Sequence, residues 1–403
     1  MKQRIRVRKT PTTRRAGAAL VACVLSLVVL GPPAGPPPAS YVAHAATTTS
    51  APKGRPSPPV FAYYYIWFDR ASWDRAKIDQ PTLGKYSSDD PKIMRQHIRL
   101  AKQVGITGFI VSWKHSATLD RRLATLIDVA QSEHFSLAMI YEGLDFYKRP
   151  LRASRVAADL DYFTRVFAPR APFRGFSKPL VIWSGTWKFS PADVTRVTRP
   201  VRGRVLVLAT ERNVKGYERL AGAVDGDAYY WSSVNPDTFP GYSQKLDVLA
   251  TAVHQRHGLW IAPAAPGFDA RKIGGTSVVP RDQGRTLLRE CAAAYASKPD
   301  VVGLISWNEF SENTYIEPSK SYGSLYLNTA ASCRPGSKAL PSGSSGSHYD
   351  IDSSGPGHGF PTGLVVVPVM LAVMAAAVLV GVRRRRQGPR RPDPNAASSK
   401  TTS

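Results

Sequence analysis

Short runs rich in aliphatic, β-branched and aromatic residues recur along the chain at 61–67, 106–113, 136–141, 180–183, 205–209, 227–231, 259–262 and 301–307. No other feature constrains the fold as much. The runs are apolar on both alternate positions, as parallel strands buried on both faces require, and helical patterns or long loops separate them. One body of about 275 residues holding eight such units suits a single (β/α)8 TIM barrel, an α/β fold. The helical stretches carry their own signals. Ser87-Ser88-Asp89-Asp90-Pro91 supplies capping side chains and a first-turn proline ahead of an apolar stripe of Ile93, Met94, His97, Ile98, Ala101 and Val104, so Asp89 and Asp90 are expected as caps.

The ends are expected to be targeting segments. Lys2, Arg4, Arg6, Arg8, Lys9, Arg14 and Arg15 precede an apolar run over 16–30 and the small-x-small site Ala43-His44-Ala45, which predicts a signal peptide over 1–45. Arg14-Arg15 leaves both the general and the twin-arginine export routes open. A Thr/Ser/Pro/Gly lead-in follows at 46–58, the barrel domain occupies 59–333, and a Ser/Gly/Pro stalk runs over 334–361. The uncharged run 363–382 has the length, about 20 residues, of a membrane-crossing helix. Arg383 to Arg386 follow it and open a basic tail over 383–403, which places the tail in the cytoplasm and the domain outside.

Charge and cysteine content narrow the function classes. Of the formal net charge of +25, roughly +7 lies in residues 1–45 and roughly +6 beyond 382, so about +12 belongs to the exported part. Export argues against a nucleic-acid partner, and the remaining charge suits retention near an anionic membrane or envelope polymer. Cys23 leaves with the signal peptide, while Cys291 and Cys333 reach an oxidising compartment either as one disulfide or as two thiols. No phosphate loop, Ser-His-Asp order or metal motif is present, and no cofactor is expected.

Barrel chemistry gathers at the C-terminal ends of the strands. The last run continues Trp307-Asn308-Glu309-Phe310-Ser311-Glu312 and closes with Ile316-Glu317-Pro318. A carboxylate pair is the usual instrument for breaking glycosidic bonds, so Glu309 and Glu312 are the candidate catalytic residues. Other strand ends are aromatic: Tyr63 to Trp67, Trp113, Tyr141-Glu142 and Tyr229 to Trp231. Sugar rings present apolar C–H faces with a hydroxyl rim, which aromatic platforms and a few polar groups fit. Tyr64, Trp67, Trp113, Tyr230, Glu142 and Asn308 are therefore the candidate substrate-binding residues. Strand alternation limits such a set, because only every second side chain faces inward.

Together these residues resemble glycoside hydrolase family 99, the endo-α-mannosidases and endo-α-1,2-mannanases. The likeness extends from the tyrosine-rich first strand through Trp73, Pro81-Thr82-Leu83-Gly84-Lys85-Tyr86-Ser87, Phe109 to Trp113, Tyr141-Glu142 and Pro266-Gly267-Phe268-Asp269 to the Trp307–Glu312 motif. The resemblance implies a metal-independent, retaining (β/α)8 enzyme. Glu309 would act as base on the substrate 2-hydroxyl, whose oxygen displaces the leaving group to give a 1,2-anhydro sugar. Glu312 would be general acid, then general base for the water that opens the epoxide, and Glu142 would bind sugar. Phe310 and Asn313 stand where the family has Trp and Gly, and Gly143-Leu144 where it favours Pro-Tyr. These departures are expected around the sugar subsites. The expectation is a membrane-anchored, extracellular glycosidase for α-linked mannose-containing glycans. The alternatives are a hydrolase or transglycosylase for another α-linked glycan, or a non-catalytic carbohydrate-binding surface protein.

Overall fold

Residues 57–334, apart from Ala76 and Phe146, are described by a computed structural model. The predicted signal peptide (1–45) and membrane helix (363–382), and most of the predicted lead-in and stalk, lie outside them. Among the described residues no helix is long and apolar enough to cross a membrane.

Eight parallel strands form one sheet: β1 (Val60–Tyr65), β2 (Gly108–Trp113), β3 (Ser136–Glu142), β4 (Leu180–Ser184), β5 (Leu206–Leu208), β6 (Gly226–Ala228), β7 (Leu259–Ala264) and β8 (Val301–Leu304). Their spatial order is β5-β4-β3-β2-β1-β8-β7-β6. The two edges meet through a parallel bridge between Ala209 and Asp227, where Ala209 N–H donates to Gly226 (3.0 Å) and Ala228 N–H to Ala209 (2.8 Å). That bridge closes the sheet into a (β/α)8 barrel. A two-stranded hairpin, Phe268–Asp269 against Val278–Val279, lies between β7 and β8 in the chain.

The inward side chains of β1 are large, and its neighbours make room for them. Phe61 pairs with Gly108 on one side and Gly303 on the other. A Cβ at Gly108 would collide with the Phe61 ring, and one at Gly303 would press on the Tyr63 ring. Only glycine lets these rings fill the barrel axis.

Helices α1 (Pro91–Gln103), α2 (Ala117–Ser132), α3 (Ala153–Val166), α4 (Pro191–Thr198), α5 (Val214–Glu218), α6 (Tyr242–Gln255), α7 (Arg285–Ala296) and α8 (Leu325–Ala331) alternate with the strands. Helix α1 starts as its sequence dictates. Asp90 caps it by accepting from Lys92 N–H (2.8 Å), Pro91 occupies the first turn, and Met94, His97, Ile98 and Ala101 are buried. Asp89 instead accepts from Arg121 (2.8 Å) and Arg122 (2.7 Å), an ion pair that ties α1 to α2. A disulfide joins Cys291 of α7 to Cys333 beyond α8, with Cα atoms 5.5 Å apart.

Strands β6 and β8 each end three residues before their apolar runs do. Strand β6 ends at Ala228, so Tyr229, Tyr230 and Trp231 belong to the loop at its C-terminal end. Strand β8 ends at Leu304; Ile305 N–H still donates to Ala264 (2.8 Å) and Trp307 N–H to Tyr63 (2.7 Å), but the backbone then turns back on itself, with Ser306 N–H donating to Thr314 (2.8 Å) and Ile316 N–H to Ser306 (3.0 Å).

Candidate active site

The loop that follows β8 is braced from within. Ser306 Oγ accepts from Glu309 N–H (2.8 Å) and pairs with Thr314 Oγ1 (2.9 Å), while Thr314 N–H donates to the Glu309 carbonyl (3.2 Å). Asp269 N–H donates to the Glu312 carbonyl (2.8 Å). From outside, Arg281 donates to the Asn313 carbonyl (2.8 Å) and the Tyr315 carbonyl (2.6 Å) and lies on the rings of Tyr315, Tyr322 and Tyr326. Both carboxylates are thus fixed by backbone, as a reaction that needs defined geometry demands.

Asn313 has φ of 54°, the left-handed region. Asn is among the side chains that tolerate it, so Asn313 meets the backbone need that glycine meets elsewhere. Its Oδ1 also accepts from Arg281 (3.3 Å). Phe310 is fully buried, stacked on Tyr315 at 3.8 Å and edge-on to Trp73 at 5.4 Å. Both residues thus brace the loop that carries the carboxylates. Gly143 is also structural, since a Cβ there would strike Trp183 and the Ser184 carbonyl.

Glu309, Glu312 and Glu142 are nearly inaccessible, at 2%, 6% and 5% exposure. Burial raises all three carboxyls, because a charge is poorly solvated there. Their surroundings then divide them. Glu309 is pulled back down by the Lys77 ammonium and by Ser311 N–H, which donates to it at 2.7 Å. Glu312 is pushed well up, first by burial and then by the negative charge of Glu309, with Glu142 adding to the effect and Lys148 opposing it. Glu142 accepts from Ser112 Oγ at 2.7 Å and feels Lys114. Two neighbouring carboxyls driven apart in this way form an acid and a base at one pH.

Two lysines that carry no recognisable sequence pattern complete the electrostatics. Lys77 donates to the Ser72 carbonyl (2.7 Å) and Ser311 Oγ (3.3 Å), and burial lowers its ammonium. Lys148 is lowered to about 8 by burial, against the pull of Glu312. Tyr65 was not among the expected binding residues, yet its hydroxyl bonds that of Tyr230, and the acidity of both phenols is suppressed by burial and by Glu312. Trp67 packs on Tyr65 at 4.5 Å. Tyr65, Trp67 and Tyr230 therefore form one aromatic wall beside the carboxylates.

Tyr64 and Trp113 are not in that wall. Alternation on β1 and β2 turns both toward the helices. Tyr64 donates to or accepts from His97 Nδ1 (3.0 Å) and stacks on Phe109 at 4.5 Å. Trp113 donates to Asp120 (3.0 Å) and packs on Phe163 at 5.9 Å. Asn308 is also spent on structure: its amide accepts from Tyr65 N–H (2.9 Å), donates to the Tyr65 carbonyl (3.0 Å) and reaches Tyr86 (3.3 Å). It thereby continues the β1–β8 ladder with a side chain. Among the described residues no cluster of His, Cys, Asp or Glu is arranged to hold a metal ion.

The sequence model of glycosyl hydrolase family 99 matches residues 69–328. A glycoprotein endo-alpha-1,2-mannosidase-like protein of Danio rerio is 24% identical over 310 residues, 69% of this chain and 65% of that protein. The glycoprotein endo-alpha-1,2-mannosidase of Rattus norvegicus is 22% identical over 303 residues, 68% of this chain and 62% of its own. The match thus spans less than two thirds of these relatives. The GH99 endo-alpha-mannosidase of Bacteroides thetaiotaomicron shares the fold, with a TM-score of 0.60, 21% identity, and coverage of 68% of this chain and 95% of that one. By the match across its barrel, the chain belongs to glycosyl hydrolase family 99.

Proposed function

We propose that this protein is a retaining glycosidase for α-linked, mannose-containing glycans, working through a 1,2-anhydro sugar. The observation that carries the proposal is the placement of Glu309 and Glu312 on one braced loop at the C-terminal end of β8, in environments that separate their acidities. Glu309, the more readily ionised, takes the proton of the sugar 2-hydroxyl. The 2-oxygen attacks the anomeric carbon as the glycosidic bond breaks, and Glu312 gives its proton to the departing oxygen. Glu312 then takes a proton from the water that attacks the anomeric carbon. The epoxide opens, and the 2-oxygen recovers its proton from Glu309. Two inversions give net retention.

The aromatic wall of Tyr65, Trp67 and Tyr230 supplies a platform for the sugar face, and Glu142, held by Ser112, offers an acceptor for sugar hydroxyls. Similar proteins are named as endo-α-mannosidases, and this favours mannose among α-linked sugars. The test is incubation of the full-length protein with a panel of α-mannans and α-glucans, with products identified by mass and the released anomer by NMR. Release of α-configured mannose-containing products supports the reading. Absence of product from every substrate, or a product of inverted configuration, overturns it.

The proposal extends to location. The basic n-region and apolar run before Ala45, with the apolar run 363–382 and its following arginines, support an exported domain tethered by one helix with its tail in the cytoplasm. Recovery of the intact protein in the soluble fraction after cell disruption would count against the tether.

A further inference from the structure

Across the barrel mouth from the β8 loop, the segments following β4, β5 and β6 build a cluster that the proposed chemistry leaves unused. Arg212 lies over both Trp187 and Trp231, its guanidinium carbon 4.6 Å from each ring centroid, and the two rings meet edge to face at 5.9 Å. Trp231 stacks on Tyr229 at 6.3 Å and 14°. Lys245, from α6, sits over Tyr229 at 5.1 Å and over the exposed Phe239 at 5.7 Å. Among the described residues no carboxylate lies within ion-pair distance of Arg212 or Lys245. The nearest candidate, Glu211, is taken by Arg219 at 3.0 Å. The buried Nε of Arg212 has no acceptor, and neither does Ser233 Oγ on the same loop as Trp231.

Two cations partly withdrawn from water without an ion-pair partner of their own are an unusual arrangement, since a protein commonly pairs such groups; Arg212 feels the Glu211 charge, but that carboxylate is already bound by Arg219. The ring faces compensate part of the cost. They do not neutralise the charge. Burial, and then the positive charge of Arg212, lower the Lys245 ammonium, so the two cations share one field. Trp187 and Trp231 are both partly exposed, and the ring surface left open beside Arg212 can take a sugar. Tyr230, the immediate neighbour of Trp231 in the chain, belongs to the wall beside the carboxylates, so the loop after β6 links the cluster to that wall.

We infer that Trp187, Arg212, Trp231 and Lys245 form a distal subsite for a sugar residue carrying an anionic substituent, a phosphate ester or a carboxylate. The tryptophans carry the ring, and the guanidinium and ammonium bind the charged oxygens, Arg212 through its planar set of donors. The identity of the ligand as part of an α-linked glycan rests on the glycosidase reading; the affinity for an anion does not.

Calorimetric binding to the full-length protein separates the two. The probes are matched α-mannooligosaccharides that are neutral, phosphate-bearing or uronate-bearing, titrated into the Glu312→Gln variant so that no turnover intervenes. A preference of about 10-fold or more for at least one acidic probe at low salt is expected, as for a charge-assisted hydrogen-bonded pair. The preference should shrink as ionic strength rises and fall to about one in Arg212→Gln; the phosphate and uronate arms show which anion is taken. Lys245→Gln, on a partly exposed helical position, provides a second variant should Arg212→Gln fail to fold, and is expected to reduce the preference. Equal binding of neutral and acidic probes, or a preference that survives both substitutions, overturns the inference whether or not the protein hydrolyses mannan.

Discussion

Glu312 and Glu317 lie on the same loop and are both buried, yet the two sides of that loop are built for opposite ends. On the helix side, Glu317 accepts from Tyr86 (2.9 Å) and bonds His97 (3.1 Å), which in turn bonds Tyr64, so its oxygens are used. On the mouth side, Glu312 faces Glu309 and Glu142, two like charges, with only Lys148 in opposition. A buried carboxylate whose lone pairs are satisfied holds a fold together. One left among its own kind costs stability and has a reason to be kept elsewhere, in chemistry.

The sharpest way to break this comparison is to neutralise each acid in turn. Glu312→Gln or Glu309→Gln should lower kcat on an active α-glycan by about 10³-fold or more, the scale of a lost acid–base group, while the melting temperature stays close to wild type. Activity unchanged in both would end the distinction. Next in size, Cys291→Ser releases the 42-residue closure between α7 and the end of the domain. The chain-entropy estimate for a loop of that length is about 4 kcal/mol, read as a fall in urea midpoint. Glu317→Gln should cost about 2–3 kcal/mol of stability, because His97 and Tyr86 lose a charged acceptor in a dry site. A loss of activity in Glu317→Gln without loss of stability would place it on the wrong side of the loop.

Smaller effects follow from pH. The folded-state carboxyl of Glu312 titrates above its unfolded value, so its share of stability is whole below the ordinary carboxylate range and is lost as pH rises through the folded titration. Thermal scans at pH 5 and pH 8 should show the wild type losing more between them than Glu312→Gln does. The smallest expected change is in Lys77→Met: removing the cation that draws Glu309 down should move the acid limb of the pH–rate profile upward. A limb that stays in place would assign the ionisation of Glu309 to its hydrogen bonds from Ser311 and from Glu312 N–H.

The same division explains which parts of the molecule were legible beforehand. The capping of α1 by Asp90 and the buried stripe behind it depend on neighbours in the chain, and they appeared as expected. So did the barrel itself, since each strand run is local. The aromatic side chains were harder. Tyr64 and Tyr65 are adjacent, and nothing nearby in the sequence says which parity faces inward; the register with Gly108 and Gly303 settles that Phe61, Tyr63 and Tyr65 do. Asn308 reads as a possible sugar contact from its place at the end of the last strand, whereas its amide bonds to β1, a strand from the other end of the chain. Lys77, Lys148 and Arg212 left no local pattern at all.

By itself the sequence determined the alternation of strands and helices, the position of Glu309 and Glu312 beyond the last strand, and the family to which the chain belongs, because periodicity and motif spacing are properties of neighbouring residues. Only the tertiary structure decided what each carboxylate experiences. The acidity of Glu309 and Glu312 depends on dehydration and on charges brought from β3, from the loop holding Lys77 and from the turn holding Lys148, and Coulomb forces act through space, with no regard for distance along the chain.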